Sequence, residues 1–253
     1  MSARRLARAL AVAAAAAGPA HAAHPLLTED TGTQGQGRFQ LELTADRTRD
    51  QPPGQSAREV LGGTVLSVGI ADAVDLQLGL PWLRVHAHDA AGHHADRGLL
   101  DASLDLKWRF YEHGPLSLGF KPGITVPSGD AGRGFGAGRA GAGALLILSW
   151  APGPLAVHSH AGYRRNENTV GQRTSLGHLS AAVTWEVSER LKLVADASAD
   201  TDPDRGSRAS VRYAILGLIY SVTPDFDLDF GIKHGLGEPA IDHSILVGAA
   251  LRW

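Results

Sequence analysis

The 253-residue chain has no cysteine, and its one methionine is Met1. Disulfides, thiolate metal centres and an N-terminal lipoprotein anchor are therefore excluded. Aromatic residues are scarce at 6% while glycine reaches 31 residues, a balance that disfavours a helical enzyme core. Formal net charge is −2, so no basic excess is available to hold a nucleic acid. Beyond residue 22 no apolar run approaches the roughly 20 residues of a membrane helix. The longest, Ala144 to Leu148, has the length of a strand.

What is present begins with an export signal. Arg4, Arg5 and Arg8 form a positive start, Ala9 to Ala17 an apolar centre, and Ala20-His21-Ala22 a small-x-small cleavage pattern. Residues 1–22 are thus expected to be a signal peptide, whose removal takes the net charge from −2 to −5. An exported chain without membrane helices is periplasmic, secreted, or a β-barrel of the outer membrane.

From Gly37 onward hydropathy alternates with a period of two. Phe39, Leu41, Leu43 and Ala45 interleave with Arg38, Gln40, Glu42 and Thr44; Leu104, Leu106, Trp108 and Phe110 interleave with Ser103, Asp105, Lys107 and Arg109. Such segments are strands with one apolar and one polar face. Twelve are expected, over residues 37–47, 58–70, 73–85, 99–111, 116–126, 141–150, 155–165, 177–187, 190–199, 208–220, 226–235 and 242–253. Every second connection is short and turn-like, such as Ala71-Asp72 and Ser188-Glu189. The others are longer and polar: Thr48 to Ala57, His86 to Arg97, and Pro127 to Ala140. Short turns at one rim and long loops at the other define an all-β, closed antiparallel transmembrane barrel of about 12 strands. Phe110, Tyr111, Trp150, Trp185, Tyr220 and Trp253 all fall near the short-turn ends, where an interfacial aromatic girdle belongs. Residues 37–253 form the barrel, and residues 23–36 a periplasmic segment, either a tail or a piece tucked into the barrel mouth.

A charge facing hydrocarbon at mid-membrane costs roughly 2–4 kcal/mol, so polar positions must point inward. The expected pore lining is Arg38, Glu42, Asp75, Asp105, Lys107, Arg109, Lys121, Lys192, Asp196, Asp227, Asp229 and Lys233. Mixed lumen charge sets solute selectivity in an open pore, or packs as an ion-pair lattice in a plugged one. Three further signals carry less. His86, His88, His93 and His94 with Asp89 and Asp96 offer metal-ligand chemistry in a loop, without a spacing that fixes geometry. His158-Ser159-His160 suggests a lipid hydrolase, yet neighbours on a strand point to opposite faces and cannot meet. The glycines of Gly129 to Gly136 lack the strand–loop–helix context of a phosphate loop and read as a flexible extracellular loop. No catalytic, cofactor-binding or metal residue is assigned.

The run His24-Pro25-Leu26-Leu27-Thr28-Glu29-Asp30-Thr31-Gly32-Thr33-Gln34-Gly35 resembles a family of outer-membrane transporters labelled "MetA-pathway of phenol degradation". Further matches are Gly69-Ile70, Asp75-Leu76, Leu80-Pro81, Lys107-Trp108-Arg109, Lys121-Pro122-Gly123 and Pro127-Ser128-Gly129-Asp130, in that order. The resemblance implies an outer-membrane barrel, and kinship to barrels that export functional-amyloid subunits. No heptad-bearing extension of the kind those exporters carry lies between Ala22 and Gly37.

The expected function is an outer-membrane channel for small solutes, aromatic or hydrophobic compounds or metal ions among them. A plugged structural or adhesion barrel is the alternative, with a lipid hydrolase behind it. Expected partners are outer-membrane lipid, the barrel assembly machinery, a small solute, and no nucleic acid; monomer and homo-oligomer both remain open.

Overall fold

The structure, a computed structural model, describes residues 24–50, 56–89 and 92–253. Fourteen strand segments follow one another: β1 Phe39–Asp50, β2 Ser56–Ala71, β3 Val74–Gly79, β4 Trp82–Asp89, β5 Gly92–Leu99, β6 Ala102–His113, β7 Leu116–Val126, β8 Gly141–Trp150, β9 Leu155–Arg165, β10 Ser175–Glu186, β11 Leu191–Thr201, β12 Ser210–Thr223, β13 Phe226–Gly235 and β14 His243–Arg252. Both β3 and β4 pair with β2, at successive stretches of it, so they are one strand interrupted at Leu80-Pro81. Likewise β5 and β6 are one strand broken at Leu100-Asp101, opposite that first break. The barrel therefore has twelve strands, each antiparallel to its neighbours.

Closure joins β1 to β14 from Gln40↔Arg252 to Arg49↔His243. At the short-turn rim Phe39 and Trp253 exchange backbone hydrogen bonds of 3.0 and 3.2 Å, and their rings stack with centroids 5.6 Å apart. The terminal aromatic thus pins the seam, and closure leaves the sheet without an unpaired edge.

Alternation sorts the side chains as the sequence predicts. Leu43, Leu76, Leu104, Trp108, Leu146, Leu179, Leu216, Phe230 and Ile245 are exposed on the outer surface. Their polar strand neighbours Glu42, Asp75, Ser103, Asp105 and Lys107 are buried inside. An apolar exterior around a charged interior inverts a soluble fold and suits hydrocarbon solvent. Among the described residues no helix is long and apolar enough to cross a membrane, a criterion that says nothing about β-barrels.

One predicted loop is corrected. His86 to Arg97 is not an irregular connection but the hairpin β4–β5, paired from Trp82↔Leu99 to Asp89↔Gly92. The many polar residues there lower hydropathy without breaking the extended backbone. The tip at residues 90–91 and the β1–β2 connection at residues 51–55 lie outside the described residues, as does the signal-peptide expectation for residues 1–22. The loop of residues 127–140 does what its glycines permit. It folds inward, a short 3-10 turn at Ala131–Arg133 presenting Phe135 to Leu83, Val85 and Leu100 in a fully buried cluster. Gly98 makes room, because a Cβ there would lie 2.8 Å from the Phe135 ring.

Candidate functional site

The interior of the lower, short-turn half is occupied by the chain's own N-terminal segment. From Phe39 backwards, residues 24–38 enter at the short-turn rim and climb to mid-height. Each step is tied to the wall. Gln36 N donates to Asp72 Oδ1 at 3.2 Å, and Gln34 N to both Asp75 oxygens at 3.0 and 3.1 Å. Thr31 N donates to Ser149 Oγ at 3.1 Å, and Thr31 Oγ1 lies 2.6 Å from Ser117 Oγ. Higher up, Leu27 N and Thr28 N both donate to Asp196 Oδ2, at 2.9 and 2.7 Å. Extended backbone inside a barrel has no ladder of its own, so wall carboxylates and hydroxyls take its N–H groups.

Glu29 is the centre of this arrangement. Its two carboxylate oxygens take one lysine each: Oε1 accepts from Lys107 Nζ and Oε2 from Lys121 Nζ, both at 2.7 Å. Its backbone N–H donates to His160 Nδ1 at 2.9 Å. Lys107 also donates to Asp30 Oδ1 at 3.0 Å. Lys121, His160 and Asp196 are each the sixth residue of an eleven-residue strand, so the latch sits at barrel mid-height. Burial opposes the Glu29 charge, yet Lys107 and Lys121 outweigh it and hold the carboxyl below its ordinary range. Asp30 is held down chiefly by Lys107, against its own burial.

A second ionic anchor holds the start of the segment. His24 bridges two carboxylates, Asp229 through Nδ1 and, at 3.2 Å, Asp46 through Nε2. Lys233 Nζ completes the cluster 3.1 Å from Asp46 Oδ2. Burial disfavours charge on His24, but hydrogen bonds to Asp229 and Asp46 overcome it, raising its pKa to about 9. Next, Pro25 packs on Gly217 and Gly231, where a Cβ would come within 2.7 and 2.8 Å of its ring. Leu26 then enters a small apolar cluster with Ala182, Val194 and Ile219.

The twelve expected lining residues divide into three groups. Lys107, Lys121, Asp75, Asp196, Asp229 and Lys233 are brought together by the segment, directly or through Asp46. Glu42 and Asp105 are buried inside, and neither oxygen of Asp105 has a hydrogen-bond partner among the described residues. Four lie toward the short-turn mouth: Arg109 with Glu112, Lys192 with Glu186, Asp227 with Arg252, and Arg38 near Asp225. Arg38 is a correction in place: it precedes β1, is 62% exposed, and lines no part of the barrel wall. Sequence reasoning missed Glu29, Asp30 and His24, because a polar run ahead of a barrel looks solvated until its docking surface exists, and with them the roles of their wall partners Asp46 on β1 and His160 on β9. Three acceptors in a row at Glu29, Asp30 and Thr31 were the available signal.

The other chemical candidates are resolved by geometry. His160 and Ser159 face opposite sides of β9. His160 accepts from Glu29 at Nδ1, so its Nε2, 3.3 Å from Ser180 Oγ, carries the proton and cannot serve as a base toward that serine. Ser149 Oγ, 2.8 Å from His158 Nδ1, is engaged by Thr31 N. In the hairpin, alternation places His86, His88 and His93 outside and His94 and Asp96 inside, so the sequence cluster does not converge. Asp96 instead pairs with Arg133 of the inward loop.

Among solved structures, an outer-membrane channel from Pseudomonas putida F1 matches with TM-score 0.71 and 15% identity, covering 88% of this chain and 98% of that one. The translocator domain of the autotransporter NalP from Neisseria meningitidis matches with TM-score 0.54 and 15% identity, covering 87% of this chain and 89% of that one. The KdgM porin matches with TM-score 0.56 and 8% identity, covering 84% of this chain and 98% of that one. At these identities the likeness is one of fold. No curated protein matches the chain. The sequence profile of one family matches residues 23–253, beginning one residue before the His24 anchor. The chain belongs to the family described as "Putative MetA-pathway of phenol degradation".

Proposed function

We propose that the chain is an outer-membrane channel for small solutes, and that its N-terminal segment is the gate. The observation that carries this reading is Glu29 gripped by Lys107 and Lys121 at mid-height, where a single segment narrows the lumen. The matched channel and porins have the same fold, and an apolar exterior demands a bilayer. Cleavage after Ala22 would leave a mature chain beginning at Ala23, one residue ahead of the His24 anchor. Trp253 at the seam is the terminal aromatic that the barrel assembly machinery would read. Wall groups that now hold the segment (Lys107, Lys121, Asp196) become a mixed-charge solute path whenever it swings aside. Asp105, whose oxygens accept no hydrogen bond among the described residues, already offers that path a carboxyl group.

The arrangement is suited to switching. Separating Glu29 from its lysines leaves three charges in a confined space, so the seated state is strongly preferred, yet water entering the lumen can hydrate them. The segment is a strap with discrete tethers, not a packed domain, and can leave without unfolding the barrel.

A plugged structural barrel is favoured by the same occupancy, and conductance decides between them. Full-length protein in planar bilayers is expected to conduct weakly, and E29A protein to conduct more. Silence from both would sink the channel reading and leave the plugged barrel.

A further inference from the structure

Above the apolar belt, one side of the barrel exterior turns basic. Cross-strand pairing puts Ala45, Gly62, Trp82 and Leu99 in one outward row, with Trp82 and Leu99 exposed. The next row toward the long-loop rim reads Arg47, Val60, Arg84 and Arg97; the one beyond it reads Arg49, Arg58, His86 and Ala95. Successive rows on one face stand about 7 Å apart, so arginine begins one step above the last lipid-facing side chains.

Three independent observations point from this face to a ligand. A half-open groove of ≈ 810 Å³ runs along the β1–β2–β4–β5 sheet, lined by Arg47, Arg49, Arg58, Arg84, His86 and Glu59 among others. Like charges stand directly opposite across strands, Arg49 against Arg58 and Arg84 against Arg97, which destabilises a sheet unless an anion lies between them. None of Arg47, Arg49, Arg58 or Arg84 takes part in an ion pair among the described residues, where arginine pairs involve Arg38, Arg109, Arg133, Arg165 and Arg252. Arg84 is positioned by its own face, donating from Nε to His86 Nε2 at 2.9 Å.

We propose that this face binds a phosphorylated glycolipid of the outer leaflet, lipopolysaccharide, with its phosphates on the arginine lattice and its acyl chains along Trp82 and Leu99. The planar guanidinium fork suits phosphate oxygens, and the level of the arginines is that of a headgroup. A soluble anion would use the arginines but gain nothing from the apolar row beneath them. The proposal rests on the outer-membrane placement above, and membrane fractionation tests that placement separately.

The test uses full-length protein extracted from its own envelope in mild detergent, with bound lipopolysaccharide counted by native mass spectrometry. Wild type is expected to retain it, and R47Q/R49Q/R58Q/R84Q to retain at least about tenfold less. The same four positions changed to lysine should recover part of the binding, because charge returns without the fork. Heat-resistant migration in gels verifies that each barrel is closed, and the double variant R84Q/R97Q serves if the fourfold variant does not fold. Excess inorganic phosphate should not displace the lipid, and enzymatically dephosphorylated lipopolysaccharide should not bind. Equal retention by wild type and the glutamine variants overturns the proposal, as does displacement by inorganic phosphate alone. A protein that fractionates with the outer membrane but carries no lipopolysaccharide sinks this proposal and spares the channel reading.

Discussion

Glu29 Oε2 meets Lys121 Nζ at 2.7 Å, with side-chain exposures of 2% and 0%, joining a residue 92 positions away to the centre of β7. A carboxylate from outside the barrel wall thus satisfies one of the most deeply enclosed amines inside it. Removing either partner strands a charge, a change that typically costs about 3–5 kcal/mol. E29A is expected to release the segment while the wall stays folded. Amide exchange at residues 24–36 should rise while the strand amides stay protected. Unchanged exchange would mean that the backbone bonds to Asp196 and Ser149 hold the segment without the latch.

The His24 anchor gives a pH dependence of definite sign. Its pKa is raised from an ordinary 6.5 to about 9, so its contribution is complete below the unfolded value. That contribution is lost as pH rises through about 9, and seating of the segment should weaken between pH 7 and 10. H24A should remove this alkaline dependence while leaving any acid-side effect, since Glu29 titrates in the opposite sense: its pKa is lowered, and its contribution fades as pH falls through the carboxylate range. Single-channel open probability across that pH range is the measurement.

Gly69 lies against the backbone carbonyl of Gly35, where any Cβ would collide with main chain. Gly35 has φ +85° and so cannot easily rearrange into a substituted turn. G69A should therefore lift the root of the segment, at about 1–3 kcal/mol, the ordinary cost of overpacking. Limited proteolysis near residues 33–37 would report it, and an unaltered cleavage rate would count against the close approach.

Phe135 anchors the inward loop, being fully buried among Leu83, Val85 and Leu100. Asp101 seconds it by accepting from Gly129 N at 2.9 Å and from Ala137 N at 2.7 Å. F135A should cost about 3–5 kcal/mol locally and free residues 127–140 to external protease. Gel migration of the barrel should stay that of the wild type.

Leu146 projects outward at the middle of β8 and is 57% exposed. L146R should weaken folding into bilayers by roughly 2–4 kcal/mol, because the charge meets hydrocarbon. A comparable effect in detergent-free buffer, with no bilayer present, would argue against a lipid-facing role.

Much of the barrel was legible because each strand records its two solvents. The period-two alternation of residues such as Leu104, Asp105, Leu106 and Lys107 separates an apolar outer face from a polar inner one. Long polar connections are less readable. His86 to Arg97 lies above the belt where both faces are wet, so alternation of hydropathy vanishes although the strand continues. Breaks at Leu80-Pro81 and Leu100-Asp101 divide strands without changing the count of twelve around the barrel.

By itself the sequence determined the class of fold, the polar face of each strand on which the charges lie and the closing role of Trp253, since all follow from local patterning. Only the tertiary structure decided what those charges hold. Lys107 and Lys121 lie on adjacent strands and read alike as pore lining; that both grip Glu29 depends on curling the sheet until its interior faces the segment that precedes it. Nothing local to residues 24–36 encodes that meeting, because their hydrogen-bond and ion-pair partners lie on eight different strands and the β2–β3 turn, and are assembled only when β14 closes on β1.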